Sequence, residues 1–107
     1  MNFSDKLKIQ ILLAYPPKSL KEGWEGFLPF PENIACLGSF VKERGLAVKI
    51  YHDHPYKVSS ILKIIRDQKP RIFGMSCDSS NFDNCFHLAQ CAKNINKNIY
   101  VVLGGNH

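Results

Sequence analysis

The feature that most constrains the fold of this chain is an alternation of short apolar runs with segments of helical period. Four runs rich in β-branched residues, at 8–14, 47–51, 71–77 and 98–104, have the length of buried strands. Between them, apolar residues recur every three or four positions, as on one face of a helix. This order predicts an α/β fold with a parallel sheet covered by helices on both faces. Right-handed crossovers make it a doubly wound sheet of flavodoxin-like or Rossmann-like type.

Three helices are predicted between the strands. The first is expected from Pro31 to about Arg44, where Gly45 is a suitable stop. The second is expected within residues 57–68 and the third after the cluster "DSSN", whose oxygens can cap a helix start. The apolar positions predicted for the first and third helices are Ile34, Leu37, Val41, Phe82, Cys85, Phe86, Ala89 and Ala92.

Length and composition indicate one domain over residues 1–107. No apolar run reaches the roughly 18 residues that span a bilayer, and the N-terminus lacks the features of a signal peptide, so a cytoplasmic location is expected without a membrane partner. The formal charge of +5 comes from 14 Lys and Arg residues spread along the chain. Because these residues form no block and no aromatic residues alternate with them, the pattern argues against nucleic-acid binding.

Polar and small residues follow each predicted strand. In a doubly wound sheet, ligands bind beyond the carboxyl ends of the strands, where the strand order reverses. If the first and third strands are neighbours, three groups of residues face one crevice. They are the long Pro-rich segment 15–33 after the first strand, the Ser-rich turn after the third strand and the glycine pair after the fourth. The candidate cofactor-binding residues are Tyr15, Pro16, Pro17, Ser76, Cys77, Asp78, Ser79, Ser80, Asn81, Gly104, Gly105 and Asn106.

These strand ends leave alternatives open. The Ser-rich turn suits a phosphate or carboxamide at a helix start, but it equally suits helix capping. The pair Gly104–Gly105 permits close approach of a flat ligand, but it also suits an ordinary turn. His52 and His54 alternate along an extended segment, yet no third ligand of fixed spacing follows, so a metal site is not favoured.

Sequence signatures of catalysis are absent. The chain holds no G-x-S-x-G, no G-x-x-x-x-G-K-[ST] and no G-x-G-x-x-G after the first strand. The four cysteines, at 36, 77, 85 and 91, lack metal-binding spacing and are expected to be small buried or half-buried side chains. We therefore assign no catalytic residue and no protein-ligated metal.

Four segments are distributed in order between residues 8 and 107: "KIQILLAYPP", "PENIACLGSFVKERGLAVKIY", "KPRIFGMSCDSSN" and "IYVVLGGNH". By their order and spacing they resemble the N-terminal cobalamin-binding domain of radical S-adenosylmethionine enzymes, and the resemblance spans nearly the whole chain. The resemblance implies a flavodoxin-like domain that holds a corrinoid over the carboxyl edge of its sheet. It also implies that the nucleotide tail lies near Ser76 and the glycine pair, with the Pro-rich loop against the corrin face.

Two motifs found in cobalamin-dependent proteins of this kind are missing from the sequence. The D-x-H-x-x-G motif of methionine-synthase-type carriers is absent, and their S-x-L reads Ser76-Cys77-Asp78, so no histidine of that motif ligates cobalt. The three-cysteine iron–sulfur motif is also absent, so the chain is expected to hold no cluster and not to be catalytic by itself. The catalytic radical S-adenosylmethionine domain is normally part of the same chain.

The resemblance also implies that the usual fifth strand is missing and that the domain is C-terminally incomplete. The last strand is then expected to be an exposed edge that can pair with a second copy. The alternative function is a non-binding scaffold or interaction domain of the same fold. A receiver or FMN-binding module is disfavoured, because "LLAYPP" offers neither paired acidic residues nor a Ser/Thr-rich phosphate loop.

Overall fold

The computed structural model describes residues 9–17, 32–52 and 57–104, and these form four strands and three helices. Each element falls within or near the segment that its sequence pattern predicts. The elements are β1 (Ile11–Ala14), α1 (Glu32–Lys42), β2 (Val48–Tyr51), α2 (Val58–Gln68), β3 (Ile72–Ser76), α3 (Phe82–Ile95) and β4 (Tyr100–Gly104).

All four strands are parallel and lie in the order β2-β1-β3-β4. In register, Ile11 of β1 lies opposite Val48 on one side and Ile72 on the other. The chain first moves from β1 outward to β2 and then crosses back to β3, so the strand order reverses between β1 and β3. This confirms the predicted doubly wound α/β sheet and places the ends of β1 and β3 at the switch point.

The core lies on both faces of the central strands because successive side chains of a strand alternate between faces. Leu12 of β1 and Phe73 of β3 are fully buried against α2 and α3. Leu13 faces the other side, where it packs with Val41 of α1 and Val48 of β2. Full burial of one such Leu or Phe side chain stabilises the fold by about 1.5–3 kcal/mol.

The predicted helix faces are only partly confirmed. α3 buries Cys85, Leu88 and Ala92, whereas Phe82 and Phe86 are 37% and 53% exposed and their rings stack on each other at 6.5 Å between centroids. Apolar residues recur at three- to four-residue spacing along more than one face of this helix. The two phenylalanines lie outside the face that packs on the sheet.

The expected burial of one residue is corrected, and the last strand is exposed as expected. Leu37 of α1 is 51% exposed, although its spacing predicts a buried position. β4 is an edge strand within the described residues, and Val102 and Leu103 on its two faces are 54% and 39% exposed. Among the described residues, the sheet is therefore covered on both faces at β1, but not at β4. No helix in the described part of the chain is long and apolar enough to cross a membrane.

Candidate functional site

Two chain segments meet at the switch point, residues 15–17 after β1 and residues 76–81, which begin with the last residue of β3. The Tyr15 hydroxyl donates a hydrogen bond to Asp78 Oδ2 at 2.9 Å. The Asn81 side-chain amide donates to the Pro16 carbonyl at 2.6 Å. The predicted neighbourhood of these two segments is thus observed, and polar side chains join the two sides of the crevice directly.

Asn81 is the centre of this network and is only 2% exposed. Its Nδ2 also donates to the Ser76 carbonyl at 3.2 Å, and its Oδ1 accepts from the Asp78 backbone N–H at 2.8 Å. Asn81 occupies the N-cap position of α3, but its side chain makes no capping hydrogen bond. Its amide therefore holds the two strand ends together rather than capping the helix.

Asp78 stabilises the turn that precedes α3, and it does not cap the helix itself. Its Oδ1 accepts from the Ser80 backbone N–H at 2.8 Å, the Ser80 hydroxyl at 2.6 Å and the Asn81 N–H at 3.2 Å. The hydrogen bonds from Ser80, followed by that from Tyr15, hold the pKa of Asp78 below its ordinary value. Burial, followed by the neighbouring Asp78 carboxylate, raises the pKa of Tyr15. Asp78 is therefore ionised and Tyr15 protonated at neutral pH.

Two buried thiols lie beneath this turn. Cys77 Sγ is 3.9 Å from the Asp78 carbonyl oxygen, and Cys85 Sγ is 3.7 Å from that of Ser76. Burial, together with the adjacent Cys77, raises the pKa of Cys85 to about 12. The Cys85 thiol is therefore neutral near pH 7, and the Cys77 and Cys85 side chains are both packed in the buried core.

The accessible part of the crevice consists of Ser79, Ser80 and the end of β4. The Cys77 backbone N–H donates to the Gly104 carbonyl at 2.6 Å, which brings Gly104 beside the Ser-rich turn. A Cβ atom built on Gly104 meets no atom of the described residues within 4 Å. This open space and the neighbouring hydroxyls fit a flat ligand with many hydrogen-bond acceptors. Gly105 and Asn106 lie outside the described residues, as does the segment 18–31.

Sequence reasoning missed Asn84, which extends the network. Its Nδ2 donates to the Pro17 carbonyl at 2.7 Å. An available signal was an Asn inside a predicted helix, where its short amide is unfavourable unless it finds a partner.

Other possible sites lie away from the switch point. Among the described residues, no group of three or more His, Cys, Asp or Glu side chains could hold a metal ion. His52, at the end of β2, is half-buried, and His54 lies outside the described residues. A cavity of about 500 Å³ lies at the amino ends of β3 and β4, where Lys69, Arg71 and Lys97 contribute to its lining.

The fold and its switch-point crevice define a flavodoxin-like α/β domain. Residues 26–107 match the family described as the B12 binding domain, and the chain belongs to this family. It is also 36% identical over 102 residues to an uncharacterized methyltransferase of Pyrococcus horikoshii. That alignment covers 92% of this chain and 22% of the relative, so the chain spans about a fifth of the relative's length. No solved structure matches the chain at a significant level. Family membership supports the predicted binding of cobalamin.

Proposed function

We propose that this chain holds cobalamin over the carboxyl edge of its sheet for a radical S-adenosylmethionine or methyl-transfer catalytic domain. The observation that carries the proposal is the switch point between β1 and β3, where a polar turn and an unobstructed glycine lie side by side. The proposed contacts are Tyr15, Pro16, Pro17, Ser76, Cys77, Asp78, Ser79, Ser80, Asn81, Gly104, Gly105 and Asn106. The nucleotide tail lies near Ser76 and the glycine pair in this proposal.

The contacts divide into two groups by their hydrogen bonds. Asp78 and Asn81 use their polar side-chain atoms within the protein, so they position the turn. Ser79 and Ser80 are exposed, but the Ser80 hydroxyl donates to Asp78 Oδ1, so the Ser79 hydroxyl is the side-chain group most accessible to the corrin amides. Bound cobalamin supplies a reactive cobalt–carbon bond, while this chain binds and orients the cofactor.

The first experiment is a titration of the purified chain with hydroxocobalamin, followed by gel filtration with detection of corrinoid absorbance. Co-elution of corrinoid with protein is the expected result. Corrinoid that elutes entirely free of protein would favour the alternative, a scaffold or interaction domain of the same fold that does not bind the cofactor.

Gly104→Val gives a matched test of the glycine. Because none of the described residues contacts a Cβ at this position, the variant is expected to fold like the parent, while its added methyl groups obstruct a ligand lying against the backbone. Its corrinoid affinity should fall by at least about tenfold, roughly 1.4 kcal/mol. Tyr100→Val, at the other end of the same strand, is the control and should bind normally. Equal affinity of Gly104→Val and the parent would remove Gly104 from the site.

The reaction itself is assigned to a partner domain. The similarity to a protein named as a methyltransferase supports methyl transfer as the chemistry that the cofactor serves. The corrinoid-loaded chain, incubated with S-adenosylmethionine and a reductant, is expected to form neither S-adenosylhomocysteine nor 5′-deoxyadenosine. Turnover detected by chromatography would show that the chain is catalytic by itself.

We further propose that β4 can pair with a second copy. Residues 100–104 form an edge strand with no charged side chain, and Tyr100 is 68% exposed. Sedimentation velocity should then show a concentration-dependent dimer, and Val102→Lys should abolish it because an edge lysine opposes strand pairing. A parent chain that stays monomeric at every concentration would refute this association.

A further inference from the structure

A basic cavity lies at the amino edge of the sheet, opposite the switch-point crevice. It has a volume of about 500 Å³ and is bounded by the segments that lead from α2 into β3 and from α3 into β4. Four of its lining side chains are cationic: Lys69, Arg71, Lys93 and Lys97. No Asp or Glu is among the described residues that line it. A concave surface of this size with one sign of charge suits a small anionic ligand.

Hydrogen bonds hold two of these cationic residues in place. The Tyr100 N–H donates to the Arg71 carbonyl at 2.9 Å, which joins the start of β4 to the residue before β3. Lys93 Nζ reaches from the last turn of α3 and donates to the Ile99 carbonyl at 2.5 Å. The two walls of the cavity are therefore fixed to each other through the frame of the sheet.

Lys69 has a backbone conformation that lysine rarely adopts. It is the C-cap of α2, with φ 51° and ψ 54°, in the left-handed region where glycine or asparagine is usual. Its backbone N–H donates to the Ile65 carbonyl at 3.1 Å, a bond that any residue except proline can make. The fold therefore needs the turn at this position but not the lysine side chain. A binding role for the ammonium group accounts for a cation at this strained position.

Helix dipoles do not account for the charge of the cavity. α2 and α3 both end beside it, and each helix C-terminus carries about half a negative charge. Four full positive charges exceed the roughly one negative charge of the two termini, which leaves a net charge of about +3 at the cavity.

We propose that this cavity binds a phosphate-type oxyanion carrying two or more negative charges, such as a pyrophosphate group. The planar guanidinium of Arg71 suits two parallel hydrogen bonds to phosphate oxygens. Lys69 and Lys97 supply one ammonium group from each wall, and these act as point charges. The interaction is reversible binding without a covalent step.

This site is separate from the proposed corrinoid site. The two lie at opposite ends of β3, whose five residues rise about 3.3 Å each, or roughly 16 Å in all. The corrinoid-free chain is therefore sufficient for the test. Failure of corrinoid binding would leave the anion proposal intact, and the reverse also holds.

The test is isothermal titration of sodium pyrophosphate into the corrinoid-free chain at low ionic strength, with ¹H–¹⁵N spectra recorded at each step. Saturable binding is expected, with the largest amide shifts at residues 69, 71 and 96–98, and the affinity should fall as the ionic strength rises. Arg71→Gln should weaken binding by at least about fivefold, because a charge-assisted contact is lost. Lys49→Gln makes the same charge change at an exposed position of β2, the other edge strand, and should bind like the parent.

Lys69→Gly separates ligand binding from folding. Glycine adopts the left-handed conformation without strain, so the urea midpoint of this variant should equal or exceed that of the parent. Its affinity for pyrophosphate should nevertheless fall by at least about fivefold. A lysine that serves only the end of α2 would leave the affinity unchanged, and that result would overturn the proposal.

Two further results would also overturn it. One is the absence of saturable binding by the parent chain. The other is an equal loss of affinity in Lys49→Gln and Arg71→Gln, because the anion would then be attracted by the net charge of +5 and not by the cavity. Adenosine diphosphate, titrated in parallel, distinguishes two sources of the anion. Tighter binding than that of pyrophosphate identifies a nucleoside diphosphate, and equal or weaker binding identifies a free polyphosphate.

Discussion

Replacing Asn81 with aspartate separates two roles that an N-cap asparagine can have. Asp and Asn are comparably good N-caps, so a capping role predicts little change. In this structure the side chain instead donates to the Pro16 and Ser76 carbonyls. Aspartate can still accept from the Asp78 N–H, but it has no N–H to donate to either carbonyl. Asn81→Asp is therefore expected to destabilise the domain.

The magnitude follows from the two lost hydrogen bonds. Each contributes about 1–1.5 kcal/mol net, and a buried carbonyl left unpaired costs at least as much. The Asn81 site is 2% exposed, so water does not replace the lost donors. The expected loss in the free energy of unfolding is about 2–3 kcal/mol, out of a typical total of about 5–15 kcal/mol. At an m-value of about 1.5 kcal/mol/M, the urea midpoint falls by about 1–2 M.

Equilibrium urea unfolding, followed by circular dichroism, measures this shift. Asn98→Asp makes the same charge change at an exposed position and should alter stability by no more than about 0.5 kcal/mol. Asn81→Ala should be destabilised to a similar extent as Asn81→Asp. If the aspartate variant keeps the parent's midpoint while the alanine variant loses stability, Asn81 acts as an ordinary cap and the argument fails.

Three other predictions test the core, the carboxylate and the thiols. A Cβ on Gly74 would lie 2.8 Å from Leu13 Cδ2, so Gly74→Ala should destabilise by about 1–3 kcal/mol, and an unchanged melting temperature would contradict the tight contact. The pKa of Asp78 is lowered in the folded state, so its stabilisation is present above the ordinary carboxyl pKa near 4 and is lost as the pH falls through the lower folded value. Asp78→Asn should therefore reduce the loss of unfolding free energy on acidification. If stability falls with decreasing pH as steeply in the variant as in the parent, other groups cause the acid destabilisation. Iodoacetamide should modify Cys91 before Cys85, whose pKa is raised to about 12 and whose side chain is buried; peptide mapping that shows the reverse order would refute the assignment.

The sequence predicted the element order and the sheet well because both depend on local patterns. Strands buried on both faces read as continuous apolar runs, as at residues 11–14. The end of the first helix near Gly45 was predictable because glycine commonly follows a helix. The φ of 83° at Gly45 is strained for other residues. The crevice was predicted only on the condition that the first and third strands are neighbours, and the observed order β2-β1-β3-β4 meets that condition.

The crevice network could not be predicted in the same way because its hydrogen bonds are long-range. Asn81 pairs with a carbonyl 65 residues earlier in the chain, and Asn84 with one 67 residues earlier. A local sequence pattern can indicate that such a residue caps a helix or contacts a ligand. It cannot indicate a hydrogen-bond partner far away in the sequence. The exposed rings of Phe82 and Phe86 have a related cause, since period alone does not decide which stripe of a helix meets the sheet.

The network also limits how a ligand can be recognised at this edge. The side chains of Asp78 and Asn81 are committed to hydrogen bonds within the protein, which leaves backbone groups, the Ser79 hydroxyl and the open space at Gly104 for binding. Asp78 is ionised, and a phosphate about 4 Å away would cost on the order of 1 kcal/mol even in a water-like environment. An anionic tail is therefore favoured on the Gly104 side of the turn, whereas neutral amides can approach Asp78 itself. At the proposed site, recognition is therefore expected to depend on shape and neutral hydrogen bonding more than on charge.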